Sequence, residues 1–263
     1  MELDDAYANA AHIPGAADYP PRWAQKAQSF RDRLSTEGRA MLDQPYGDSA
    51  RQMFDLFQPE GAARGLCIFV HGGYWLRFDK SWWSHLATGA LEHGWAVALP
   101  SYDLCPEVRI EDITRQIARA IPVIAALVPG PIALTGHSAG GHLVARMLEP
   151  GLLPPDVAAR LHRVVPISPV ADLRPLLQTS MNAQFALSPE DAAAESPVLM
   201  TERLDVPVIT WVGAEERPAF LDQNRWLAKA WGIPERIAPG KHHFDVIDAL
   251  EDPDSLMLDD LLG

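Results

Sequence analysis

The chain has 263 residues, 48% hydrophobic and 22% charged, which suits one large α/β domain (1–263) with a sizeable core. Its formal net charge of −13 argues against nucleic acid or an anionic membrane surface as a partner. Two cysteines, Cys67 and Cys105, cannot make a disulfide framework, and the acidic start Met1 to Asp5 does not read as a secretory leader, so a cytoplasmic protein is expected. The most apolar stretch, 121–134, is broken by Pro122, Pro129 and Pro131 and is too short to span a bilayer.

In chain order, residues 1–40 read as an appended helical arm. Asp4 to Ala11 is expected to form a short helix, and Arg22 to Leu34 a second one with Trp23, Ala27, Phe30 and Leu34 on one side. Met53–Phe57 and Leu66–Val70 read as strands, the second apolar throughout as a central parallel strand should be. A helix is predicted over 81–93, a strand over 95–99, and a helix over 110–128 that Asp112 caps and Pro122 should kink. A strand then leads into Ser138, and a helix follows it. Further strands are expected over 164–167 and 206–212, with a helix over 219–231. Such alternation predicts a mostly parallel sheet with helices on both faces. The span 171–204 shows no strand pattern and is assigned as a cap over the site.

Gly136-His137-Ser138-Ala139-Gly140 sits between that strand and helix. A serine on a tight strand-to-helix turn is lifted out of the sheet, and the flanking glycines relieve crowding there. Serine is a poor nucleophile at neutral pH and needs a base, itself oriented by an acid. The strand ending at Val212 runs into Gly213-Ala214-Glu215-Glu216, which offers two acids. Gly240-Lys241-His242-His243-Phe244 offers two histidines later in the chain. The order serine, acid, histidine is that of the nucleophile-elbow hydrolases.

The strand Leu66–Val70 leads into His71-Gly72-Gly73-Tyr74-Trp75. A glycine loop there brings backbone N–H donors to a developing oxyanion, and the expected donors are Gly73, Tyr74 and Ala139. Gly72, Tyr74 and Trp75 are expected at the substrate wall, where aromatic side chains favour an apolar or aryl substrate over a sugar or charged metabolite. No metal-ligand spacing accompanies His71, so neither a metal nor a cofactor is expected.

Taken together, His71-Gly72-Gly73-x-Trp75, the serine turn, the stretch from Val212 to Phe220 with Gln223, and His243-Phe244 resemble the arylformamidase (kynurenine formamidase-like) branch of the α/β-hydrolases. Tyr7-x-Asn9 and Tyr102-x-Leu104-x-Pro106 extend the resemblance over nearly the whole chain. It implies an α/β-hydrolase fold and a catalytic set of Ser138, Glu216 and His243. It also implies hydrolysis of N-formylkynurenine or small aryl esters. One position departs from the branch: its acid is aspartate, whereas this chain has glutamate, which does the same orienting work at longer reach. A general carboxylesterase and a non-enzymatic ligand-binding α/β-hydrolase are the alternatives, and the second would lack the serine, histidine or glycines present here.

Overall fold

The computed structural model describes all 263 residues. Eight strands are formed: β1 (Ala40–Pro45), β2 (Met53–Phe57), β3 (Leu66–Val70), β4 (Ala96–Pro100), β5 (Ile132–His137), β6 (Leu161–Ile167), β7 (Thr210–Gly213) and β8 (Glu235–Ala238). They lie in one sheet in the order β1-β2-β4-β3-β5-β6-β7-β8. β2 pairs antiparallel with β1 and β4, and every later pairing is parallel. The helices are α1 (Tyr19–Thr36), α2 (Thr88–Glu92), α3 (Ile110–Ala125), α4 (Ala139–Arg146), α5 (Pro155–Ala158), α6 (Asn182–Phe185), α7 (Pro189–Ala194), α8 (Pro218–Trp231) and α9 (Leu256–Leu262). No helix is long and apolar enough to cross a membrane.

The apolar run of β3 is explained by burial on both faces of the sheet. Leu66, Ile68 and Val70 join the core under α3 and α4, whereas Cys67 and Phe69 join the opposite core under α1 and α9. α1 buries Trp23, Ala27, Phe30 and Leu34, the side read from the sequence. α3 begins where expected, with the Asp112 carboxylate accepting from the Arg109 amide at 3.0 Å, and it continues through Pro122 to end at Ala125.

Four expectations are corrected. Residues 4–11 form turns with only a 3-10 turn at Ala10–His12, because Asp4, Asp5 and Tyr7 are drawn into contacts with Ser180, Arg217 and Gln223. The helix predicted over 81–93 is broken into 3-10 turns at Lys80–Trp82 and Ser84–Ala87 before α2, with Trp83 buried against Trp23 at a centroid distance of 4.8 Å. The strand predicted over 206–212 is shorter, Thr210–Gly213, with Val208 making only an isolated bridge to Val164. Edge strands β1 and β8 and the C-terminal α9 were not expected at all.

Besides His243, four histidines are sealed in this fold. Burial pushes His71 down to about 4, His85 and His142 to about 3, and His137 well below its ordinary value. Each takes its proton near 6.5 when unfolded, so below that pH the unfolded chain binds more protons. The stability they allow is therefore complete above pH 6.5 and is lost as the pH falls toward 4. The loss is up to about 1.4 kcal/mol per pH unit for each histidine. Melting temperature should accordingly fall steadily between pH 6.5 and 4.5, and a flat profile would contradict the neutral assignments.

Candidate active site

Ser138 is the sharp end of the β5–α4 turn, with φ 57° and ψ −115°, a conformation L-residues rarely adopt. The turn is held by the Ser138 amide donating to the Ile167 carbonyl at 2.8 Å and by the His142 amide donating to the Ser138 carbonyl at 3.0 Å. A side chain on Gly140 would meet the Val70 carbonyl oxygen at 1.9 Å, so the first turn of α4 lies directly against the end of β3.

Glu216 stands one turn after β7, and its carboxylate takes three donors. His243 Nδ1 lies 2.6 Å from Oε2, Ser168 Oγ 2.5 Å from Oε1, and the Gly213 amide 2.8 Å from Oε1. Both Glu216 and His243 are buried, while Glu215 is exposed and uses its backbone to bridge Lys241. A proton on His243 Nδ1 shared with the carboxylate leaves Nε2 as the free ring nitrogen. His242 has a different set of partners: its Nε2 is 3.0 Å from the Tyr19 hydroxyl, and its Nδ1 accepts from the Phe244 amide at 3.1 Å. It ties α1 to the histidine loop.

The loop after β3 is strained and firmly held. Tyr74 and Trp75 have φ of 54° and 56°. The Gly73 carbonyl accepts from Leu76 and Arg77, and the Tyr102 hydroxyl donates to the His71 carbonyl at 2.8 Å. The Gly73 and Tyr74 amides donate to no carbonyl, and the Ala139 amide, first in α4, is an orphan by position. Such free N–H groups are what an anionic oxygen requires.

Ser138, His243, His137, Gly73 and Tyr74 line one cavity of about 410 Å³. Trp23, Met181 and Phe244 add apolar wall, and the arm supplies Asp4 and residues 7–11. The arm is fastened by the Tyr74 hydroxyl donating to the Tyr7 carbonyl at 2.8 Å and by the Gln223 amide donating to the Tyr7 hydroxyl at 2.9 Å. Ser180 and Met181, from the strandless span 171–204, reach the same cavity.

Two expected wall residues are placed elsewhere. Trp75 is fully buried in the core, edge-on to His142 and Phe185 at 5.1 and 5.7 Å, because the left-handed backbone turns its ring inward. Gly72 lies behind the serine, where a Cβ would come within 2.7 Å of the His137 carbonyl oxygen. Ser168, Trp23 and Met181 were missed by sequence reasoning, since nothing local marks a residue whose part depends on a distant segment. Tyr7 and Gln223 did carry a signal in the resemblance.

Residues 67–258 match the alpha/beta hydrolase family. Kynurenine formamidase of Salmo salar is 26% identical over 239 residues, covering 85% of this chain and 81% of that protein. The enzyme of the same name from Drosophila melanogaster is 28% identical, with 96% and 94% covered. A crystal structure from Silicibacter sp. tm1040, provisionally named a thioesterase, is 60% identical over 100% of both chains with a TM-score of 0.98. With a mostly parallel sheet, a serine at its central turn and a match over most of its length, the chain belongs to the alpha/beta hydrolase family and is a hydrolytic enzyme.

Proposed function

We propose that this enzyme is a serine hydrolase of small aryl formamides and aryl esters, working through an acyl-enzyme. The observation that carries the reading is the 2.6 Å contact of the buried Glu216 carboxylate with Nδ1 of His243, which lines the same cavity as Ser138. Ser138 Oγ attacks the carbonyl carbon while His243 Nε2 takes its proton. The oxygen of the tetrahedral intermediate is held by the Gly73, Tyr74 and Ala139 amides. His243 returns the proton to the departing nitrogen or oxygen, and water repeats the sequence to free the acid and restore Ser138.

Formamide as a substrate is supported by the likeness to proteins named kynurenine formamidase. An aryl group is supported by Trp23, Tyr74 and Phe244 in the wall. A panel of N-formylkynurenine, formanilides and aryl esters of rising acyl length tests the substrate class. A graded fall in kcat/KM with acyl length is expected, because one methylene is discriminated by only about 1–3 kcal/mol. Ester turnover with no formamide turnover would make the enzyme a general carboxylesterase instead.

The two adjacent acids separate by mutation. Glu216→Gln should lower kcat by about 10³–10⁴-fold, the range seen when a buried acid stops fixing its histidine. Glu215→Ala should stay within a few-fold of the parent, because its side chain is exposed. Comparable losses in both variants would remove Glu216 from the role.

A further inference from the structure

Arg77 stands in the cavity wall beside Tyr74, exposed at the mouth, and its backbone is fixed by the amide bond to the Gly73 carbonyl at 3.1 Å. Other arginines around the site have partners. Arg51 Nε donates to the Tyr102 carbonyl at 2.8 Å, Arg31 to Ser84 Oγ at 3.0 Å, and Arg217 pairs with Asp5 at 2.7 Å. Arg77 holds neither a carboxylate nor a carbonyl. The one carboxylate in the wall, Asp4, is already engaged: it accepts from the Ser180 amide at 2.6 Å and pairs with the terminal amino group of Met1. A protein of net charge −13 thus presents one unmatched guanidinium in the wall of a cavity whose lining also includes Trp23, Tyr74 and Phe244.

From this placement we infer that Arg77 is a specificity-determining residue that selects substrates carrying a carboxylate beyond the scissile bond. The inference rests on the serine-hydrolase reading for the orientation of the substrate, with its carbonyl at Ser138 and its free end toward the mouth. A planar guanidinium matches a carboxylate with two parallel N–H donors, and one fixed positive charge balances one such group. Trp23, Tyr74 and Phe244 line the same cavity as Ser138 and Arg77 and supply aryl wall. The expectation of an apolar or aryl substrate, in preference to a sugar or charged metabolite, is thereby revised to an aryl body with an anionic end. Because Arg77 sits at the rim, its effect should fall on binding and be weakened by salt.

Calorimetric titration with benzoate and benzamide tests this without turnover, since the two probes share a planar aryl shape and differ in charge. Benzoate should bind about three- to tenfold more tightly, an advantage that shrinks as salt is raised. Arg77→Gln should abolish the preference, Arg77→Lys should keep part of it, and Arg77→Glu should turn it toward the benzamidinium cation. Equal binding of the two probes, no measurable benzoate binding, or a preference unchanged in Arg77→Gln would each overturn the assignment. In a parallel assay, aryl-ester turnover surviving in Ser138→Ala would overturn the serine mechanism instead, so the two failures are distinguishable.

Discussion

Ser138→Ala should reduce kcat on an aryl ester by about 10⁵–10⁶-fold, leaving on the order of 10³–10⁴ over water from the remaining N–H donors and substrate binding. The fold should survive, since the side chain ends at the cavity and the turn is held by backbone bonds to Ile167 and His142. Circular dichroism and gel filtration of the variant should match the parent. Ser138→Gly removes the proposed nucleophile and also the Cβ that makes φ 57° costly, so it should melt above Ser138→Ala. Turnover near that of the parent in either variant would sink the serine mechanism. If both melted alike, the turn would not carry the strain ascribed to it.

Gly140→Ala is the second large effect, and it falls on stability. The added carbon would sit 1.9 Å from the Val70 carbonyl oxygen, at the end of β3, and 2.6 Å from that of His71, the first residue after it, both backbone atoms. Neither can rotate away as a side chain would. α4 must therefore separate from β3, at a cost of about 3 kcal/mol or more, or roughly 6–12 °C in melting temperature for a chain of this size. Any protein that still folds should also lose activity, because the Ala139 amide moves with the helix. A variant melting within about 2 °C of the parent would show that α4 does not lie this close.

The parts of the fold that the sequence reveals are those with strong local periodicity or steric necessity. β3 reads as a central strand because both of its faces are covered, and α1 because Trp23, Ala27, Phe30 and Leu34 recur at helical spacing. The serine turn is legible because only glycine fits at positions 136 and 140, against the Gly140 and Val70 carbonyls respectively. β1 alternates half-buried and exposed residues and β8 is largely exposed, so neither carries the hydrophobic signal of an inner strand. Residues 80–92 mislead for another reason. Their apolar content resembles a helix, but Trp83 is drawn into an aromatic cluster with Trp23 and Phe78, and the backbone follows it.

At the site, residue types and chain order point to Ser138 and to a pair of acids and a pair of histidines. The choice within each pair depends on which loop residue faces inward. Trp75 illustrates the limit most clearly. Its place next to the glycine loop suggests a substrate contact, whereas two successive left-handed residues turn it into the core against Phe185 and leave Tyr74 at the cavity. The arm was legible as an appendage but not as a wall, because its position depends on Gln223 and Gln178, far away in the chain.

That dependence has a consequence in time. The Tyr7–Gln223 contact joins residues 216 positions apart, and Tyr19 meets His242 across 223. Closing loops of this length carries an entropy cost that local turns do not, and contacts of such separation slow folding. The sheet centre with its serine turn can assemble from neighbouring segments, whereas the chamber around it is sealed only when the two ends of the chain meet. On dilution from denaturant, helical signal should thus recover before hydrolysis does. The delay between the two traces measures how long a nearly native molecule waits, serine turn in place, for the cavity beside it to close.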